Sequence, residues 1–337
     1  PYFLALIYLI TGSSYLGARI AQMALGLLGA LLAFLFGRRW FGSRMGLIFA
    51  GLMSVYWGFI YFEGELVEPA LVSILALLLI WVLSLWTEKA TIGRSIIAGL
   101  LLGLSALVRP NVLLFGPAIL LWAWWVIEDR RQFVIASLGL ILAAGLTISP
   151  ATIRNYVVAH DFVPISSNMG INLWMGNNET ATGLCRPDIA DLGRFGTCFE
   201  YPSIVANMEQ RVGRPLKYSE ASDYLAQLAT EYIKSHPAET LGVMFRKAEY
   251  FWSPREVGHN EEDELERLNS RVLSKVPGRF AFVLGFGLIG AVMLFADSWR
   301  KKDAALQKRY AVLVLILLFG AGYFVSFLPF FSAGQYL

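Results

Sequence analysis

The chain carries about eight apolar stretches near the ~20 residues a helix needs to cross a bilayer, and this limits its fold more than any other feature. They run over Ala18–Phe36, Gly46–Phe62, Pro69–Trp86, Ser95–Val108, Asn111–Ile127, Gln132–Ser149, Arg279–Ala296 and Tyr310–Leu328. Hydrocarbon offers the backbone no partner, so each stretch is expected to be helical. The pattern reads as an all-α polytopic membrane protein, a multi-span helical bundle with a mixed, partly helical exocytoplasmic loop domain. Residues 1–149 hold six spans behind a short apolar segment, Pro1 to Ile10, which is too short to cross. Residues 150–277 are the polar loop domain, and 278–337 hold the last two spans. Charged residues make up only 16% of the chain, against about 25% in soluble domains. No basic stripe marks the water-facing part, so the expected partner is the lipid bilayer and not nucleic acid.

Lys and Arg in the short connections set the orientation. Arg38, Arg39 and Arg44 follow the first span, Lys89 and Arg94 the third, and Arg130 and Arg131 the fifth. Arg300, Lys301, Lys302, Lys308 and Arg309 follow the seventh. In an alternating topology all of these fall on one side, the cytoplasmic one. The opposite short connections hold Glu63, Glu65, Glu68 and a lone Arg109. The large loop is therefore expected outside the cytoplasm.

Two features of the spans stand out. Ser95–Val108 gives only ~21 Å of helix at 1.5 Å per residue, short of a ~30 Å hydrocarbon core. It ends at Arg109-Pro110-Asn111, where proline disfavours helix at the preceding residue. Arg109 and Asn111 then sit either in a polar cavity open to the outer side or, for Arg109, at the headgroups as a snorkelling cation. The second feature is Glu63, Glu65 and Glu68 before Pro69. They suit a general base, a divalent-metal ligand or a sugar-hydroxyl acceptor. They equally suit a solvated loop whose Glu68 favours the next helix N-terminus.

The outer loop holds both cysteines, Cys185 and Cys198. An oxidising compartment and short spacing suggest a disulfide closing about 14 residues, worth ~3 kcal/mol in the chain-entropy model. His259 precedes the acidic run Glu261-Glu262-Asp263-Glu264, a solvated surface run or a cation site. Asn178-Glu179-Thr180 fits the glycosylation sequon. Ser219 is placed to cap a helix with the stripe Leu225, Leu228, Ala229 and Tyr232. Pro237 opens another, with Leu241, Phe245, Ala248 and Trp252 on one face. Those two faces are expected to dock on each other and on the outer ends of the spans. Asn168 to Gly183, rich in Gly, Asn and aromatics, reads as an irregular loop, and one suited to a sugar site, with amides for hydroxyls and Trp174 to stack on a ring.

Several stretches carry a family resemblance: Glu65-Leu66-Val67-Glu68-Pro69, Gly103 to Arg109-Pro110, Pro150 to Arg154-Asn155-Tyr156, Asn168 to Asn178, and His236-Pro237 through Phe251-Trp252-Ser253-Pro254. Together they resemble bacterial family 39-type glycosyltransferases, the dolichyl-phosphate-mannose protein mannosyltransferase-like group. That group lies in the C-type superfamily, with the aminoarabinose transferases that modify lipid A. The resemblance spans essentially the whole chain and implies a sugar donor on a polyprenyl phosphate in a bacterial inner (plasma) membrane. An acceptor hydroxyl on lipid, glycan or protein would attack the anomeric carbon with inversion. A carboxylate from the first outer loop would activate it. That loop is expected upstream of Pro1, whose Pro1-Tyr2-Phe3 resembles its end, which leaves Glu63, Glu65 and Glu68 supporting roles. The chain starts without Met and stops at Gly334-Gln335-Tyr336-Leu337, and is read as cut at both ends.

Chemistry, not the family pattern, assigns the departing phosphate to Arg109 and Arg154, with Asn111, Asn155, Asn172, Trp174 and Asn177 as the other substrate-binding candidates. No cofactor is required by this reading, and a divalent metal is left open. A lipid or solute transporter or flippase is the alternative. Transporters show repeated halves with ionisable groups near the midplane, whereas here the polar groups gather at one face. A polymer ligase or polymerase on similar carriers is a third reading. A purely structural subunit would leave the outer polar cluster unexplained.

Overall fold

The computed structural model describes residues 2–186, 188–189, 192–196, 199–253, 267–276, 280–300 and 303–330. Pro1, Cys198, Pro254, His259, the Glu261-Glu262-Asp263-Glu264 run, Pro277, Arg279, Lys301, Lys302 and the terminal Gly334-Gln335-Tyr336-Leu337 lie outside them. In chain order the α-helices are α1 (Tyr2–Thr11), α2 (Tyr15–Phe41), α3 (Ser43–Val55), α4 (Trp57–Gly64), α5 (Pro69–Ser84), α6 (Ile92–Val108), α7 (Gly116–Val126) and α8 (Arg130–Ala159). They continue as α9 (Met169–Gly176), α10 (Tyr201–Val212), α11 (Tyr218–Ser235), α12 (Pro237–Phe251), α13 (Phe280–Arg300) and α14 (Ala304–Phe327). One small antiparallel ribbon pairs β1 (Asp188–Ile189) with β2 (Gly193–Arg194). The protein is an all-α polytopic membrane protein. Its two compact units are Pro1–Thr147 with Leu265–Gly320, and Ile148–Glu264 with Ala321–Leu337.

Among the described residues, Tyr15–Phe41, Pro69–Thr87, Arg130–Ala159 and Ala304–Phe327 are long and apolar enough to cross a membrane. Of the other expected spans, the fourth is the 17-residue α6, and the second and fifth are broken. The second is split at Tyr56, whose backbone turns extended (φ −76°, ψ 115°) between α3 and α4, with no proline there to account for it. The fifth opens as a 3-10 turn, Pro110–Phe115, before α7. The sixth runs ten residues past its expected end at Ser149 and carries Pro150 inside the helix. Side-chain bonds hold this extension: Thr152 Oγ1 donates to the Pro164 carbonyl at 2.8 Å, and Asn155 Nδ2 to that of Val163 at 3.0 Å.

The first unit packs around Phe36, Trp40, Leu79, Leu83, Leu102, Ile119, Trp122 and Leu140, joined by Val312 and Leu315 of α14. Trp122 Nε1 donates to the Ala311 carbonyl at 2.8 Å across that core. Gly99 and Gly103, one helical turn apart, let α6 lie against α8. A Cβ on Gly99 would stand 2.3 Å from the Leu140 carbonyl oxygen, and one on Gly103 2.5 Å from Thr147 Cβ. Small residues at four-residue spacing are the usual route to close helix approach in lipid. The outward faces carry Leu27, Leu31, Leu142 and Leu146, all exposed, as a lipid-facing surface requires.

The second unit has its own core of Ile171, Trp174, Met175, Ile204, Met208, Leu225 and Ala229. Three expectations are corrected here. Asn168 to Gly183 is not all irregular loop: Met169–Gly176 is helical, because Ile171, Trp174 and Met175 recur at helical spacing and bury together. Ser219 does not cap α11 but lies in its first turn. The capping carboxylate comes from Asp161, which accepts the Ser219 backbone N–H at 3.1 Å and its hydroxyl at 2.5 Å. Finally, α12 does not bury Leu241, Phe245 and Trp252, which are 56%, 71% and 47% exposed. It buries Thr240, Val243 and Lys247 instead, because the Lys247 ammonium finds carbonyl partners inside the unit.

Candidate functional site

In the first unit, α4 ends at Gly64 and Glu65 turns extended, its N–H bonded to the Tyr61 carbonyl. The connection is pinned from α2, where Gln22 Nε2 donates to the Val67 carbonyl at 3.1 Å. Glu68 then sits at the head of α5, ahead of Pro69 in the first helical position, and its side chain makes no cap to that helix. Its carboxylate goes to Arg109 instead: Arg109 NH2 donates to Glu68 Oε1 at 3.1 Å. Arg109 ends α6 with an extended backbone (φ −139°, ψ 102°), as the following proline dictates. Its side chain is 5% exposed against 34% for Glu68, so the guanidinium is the more enclosed of the two groups. Asn111 follows, half-buried in the 3-10 turn. Glu63 lies against Gly26 of α2, where a Cβ would stand 1.8 Å from Glu63 Oε1. Glu68 of the acidic cluster and Arg109, separate observations in the sequence, are thus brought together.

The second-unit candidates have mostly structural partners. Asn155 staples the end of α8 to the following turn. Asn172 Oδ1 accepts from the Tyr201 hydroxyl at 3.1 Å. Trp174 is 5% exposed and packed in the core, so no face of its ring is open to a sugar. Asn177 Nδ2 donates to the carbonyls of Leu173 at 2.8 Å and Pro329 at 2.6 Å. Asn178 of the sequon is buried, its amide given to the Trp174 and Met175 carbonyls. Arg154 is exposed on α8. Cys185 is disulfide-bonded. An open groove of about 490 Å³ passes Asn155, Asp161, Lys217 and Tyr218, with Ser166, Ser167 and Asn168 offering hydroxyls and an amide along its wall. Among the described residues no cluster of three His, Cys, Asp or Glu is arranged to hold a metal ion.

Some residues of consequence gave little sign in the sequence. Gln22 is a lone amide in an apolar stretch, which alone marks it. Arg267 is 8% exposed and stands over the Trp57 ring at 5.0 Å, a contact no motif announces. Lys247 is 0% exposed, with Nζ donating to the carbonyls of Gly176 at 3.0 Å and Leu328 at 3.1 Å. Burial, helped by the nearby Arg246 charge, lowers its pKa from 10.5 to about 7.

The long apolar helices describe an integral membrane protein, with an arginine–carboxylate pair beside a broken helix. Residues 1–153 match the model of the dolichyl-phosphate-mannose-protein mannosyltransferase family, a likeness consistent with a C-type membrane glycosyltransferase. The match includes Glu63, Glu65, Glu68, Arg109 and Asn111. No curated protein and no solved structure matches the chain at a significant level.

Proposed function

We propose that the protein moves a sugar from a polyprenyl-phosphate donor to an acceptor hydroxyl at the exocytoplasmic face, inverting the anomeric centre. The observation that carries this reading is the Arg109–Glu68 pair, inside the stretch that matches the transferase family. The acceptor oxygen bonds to the anomeric carbon as the carbon–oxygen bond to phosphate breaks. The bonding electrons leave with the polyprenyl phosphate, and the acceptor proton passes to a carboxylate base. A planar guanidinium oriented by Glu68 suits the departing phosphate, because it adds hydrogen bonds and charge where negative charge grows. Glu63 and Glu65 take supporting roles. Transfer from a radiolabelled polyprenyl-phosphate sugar, in membranes holding matched amounts of protein, tests the arginine. Arg109→Ala should lower turnover by about 100-fold, the scale of one lost charge-stabilising donor. Arg109→Lys should restore only part, since charge returns without the fork. Unchanged turnover in Arg109→Ala would remove Arg109 from the reaction.

A further inference from the structure

We propose that α12 lies in the membrane surface, with Leu241, Phe245, Ala248 and Trp252 sunk into the lipid boundary beside the end of α14. At ~100° per residue these four positions fall within a narrow arc of the helix. The Thr240, Val243 and Lys247 side is taken up by the protein. The third side carries Glu239, Arg246 and Glu249, all exposed. A helix that packed only on its own protein would leave its polar side to water and bury its apolar side. Here a separate apolar stripe remains open, with Phe245 at 71% exposure.

The occupant follows from where α12 is tied. Phe251, at its last turn, packs on Phe324 at 4.9 Å and on Phe327 at 5.7 Å, and Trp252 on Phe324 at 5.5 Å. Phe324 and Phe327 form the last turn of α14, one of the helices able to cross a membrane. The stripe therefore begins where a span leaves the hydrocarbon, the depth at which tryptophan and other aromatic rings gather. Strips of Leu, Phe and Trp beside a charged face are what a helix lying along a bilayer presents to it. Lipid is thus the partner the stripe fits. The inference does not depend on the transfer reaction.

The test uses the full chain in phospholipid nanodiscs with one nitroxide label, at Phe245→Cys or at Glu249→Cys. Both positions are exposed, so neither label disturbs packing. Collision rates with oxygen, which concentrates in lipid, and with a neutral water-soluble nickel chelate are compared. The oxygen-to-nickel ratio should be several-fold higher at Phe245→Cys than at Glu249→Cys. Equal ratios, or a nickel-dominated signal at Phe245→Cys, would overturn the proposal. Exclusion of both reagents at Phe245→Cys would also overturn it, by showing a protein cover such as a second copy of the chain.

Discussion

Arg109 and Glu68 are joined at 3.1 Å across 41 positions of sequence, the arginine at the broken end of α6 and the glutamate at the head of α5. The pair brings opposite charges together in the first unit while exposing the carboxylate more than the guanidinium.

Removing Glu68 should therefore cost more than removing both partners. Glu68→Ala leaves Arg109 as a buried charge without this carboxylate, which for fully buried pairs costs about 3–5 kcal/mol. Partial exposure of Glu68 lowers this to roughly 2 kcal/mol. The double variant Glu68→Ala with Arg109→Met should recover part of the loss. Thermal unfolding in detergent, run as a double-mutant cycle, checks this. Additive losses would show that the two side chains do not couple.

Trp174 is a core residue, so its replacement should be felt as stability. Trp174→Ala should cost about 3–5 kcal/mol and Trp174→Phe less. At a temperature where Trp174→Phe is folded, its KM for donor and acceptor should match the parent's. A raised KM with an unchanged Tm would return Trp174 to a sugar-facing role.

Lys247 makes the second unit's stability depend on pH. Its proton leaves near pH 7 in the folded protein and near 10.5 when unfolded. Between those values the unfolded chain binds the extra proton, so stability rises as pH climbs from about 7 towards 10.5. The gain is fully present above 10.5 and is lost as pH falls through about 7. Lys247→Met should remove this component. It is read as the difference in Tm slope between parent and variant across that window, and identical slopes would contradict a depressed lysine pKa.

The one-sided distribution of Lys and Arg predicts the orientation of the chain. Glu179 and Asp303 are both exposed. In intact cells an impermeant thiol reagent should label Glu179→Cys and spare Asp303→Cys. Labelling of both, or the reverse, would invert or dissolve the topology.

The helical character of the apolar stretches was legible, because hydrocarbon leaves the backbone one solution and apolar length reports it directly. The break at Arg109-Pro110 was legible for the same kind of reason, since proline acts on its immediate neighbour. The end of α8 was not, because the bonds that carry the helix past Pro150 come from Thr152 and Asn155 to a turn formed later in the chain. The site was half legible. Residue type marked Glu68 and Arg109 as polar groups at one face, but nothing local could announce their pairing. The contacts of the Asn residues in 168–178 were not legible, because composition does not separate amides that serve backbone carbonyls from amides that serve a ligand. The stripe on α12 was seen as a packing face, yet periodicity says only that a face is apolar, not whether protein or lipid covers it.

The hydrogen bond from Trp122 to Ala311 has a bearing on biosynthesis. The two residues are 189 positions apart. Chains emerge at about 5–20 residues per second, so the indole of α7 is made many seconds before its acceptor exists. Until α14 arrives with Val312 and Leu315, the seam around Phe115, Ile119 and Trp122 lacks its cover. A ribosome-bound intermediate stalled before residue 311 would present that seam to lipid or to the insertion machinery, and the core around Trp122 closes only once α14 has been made.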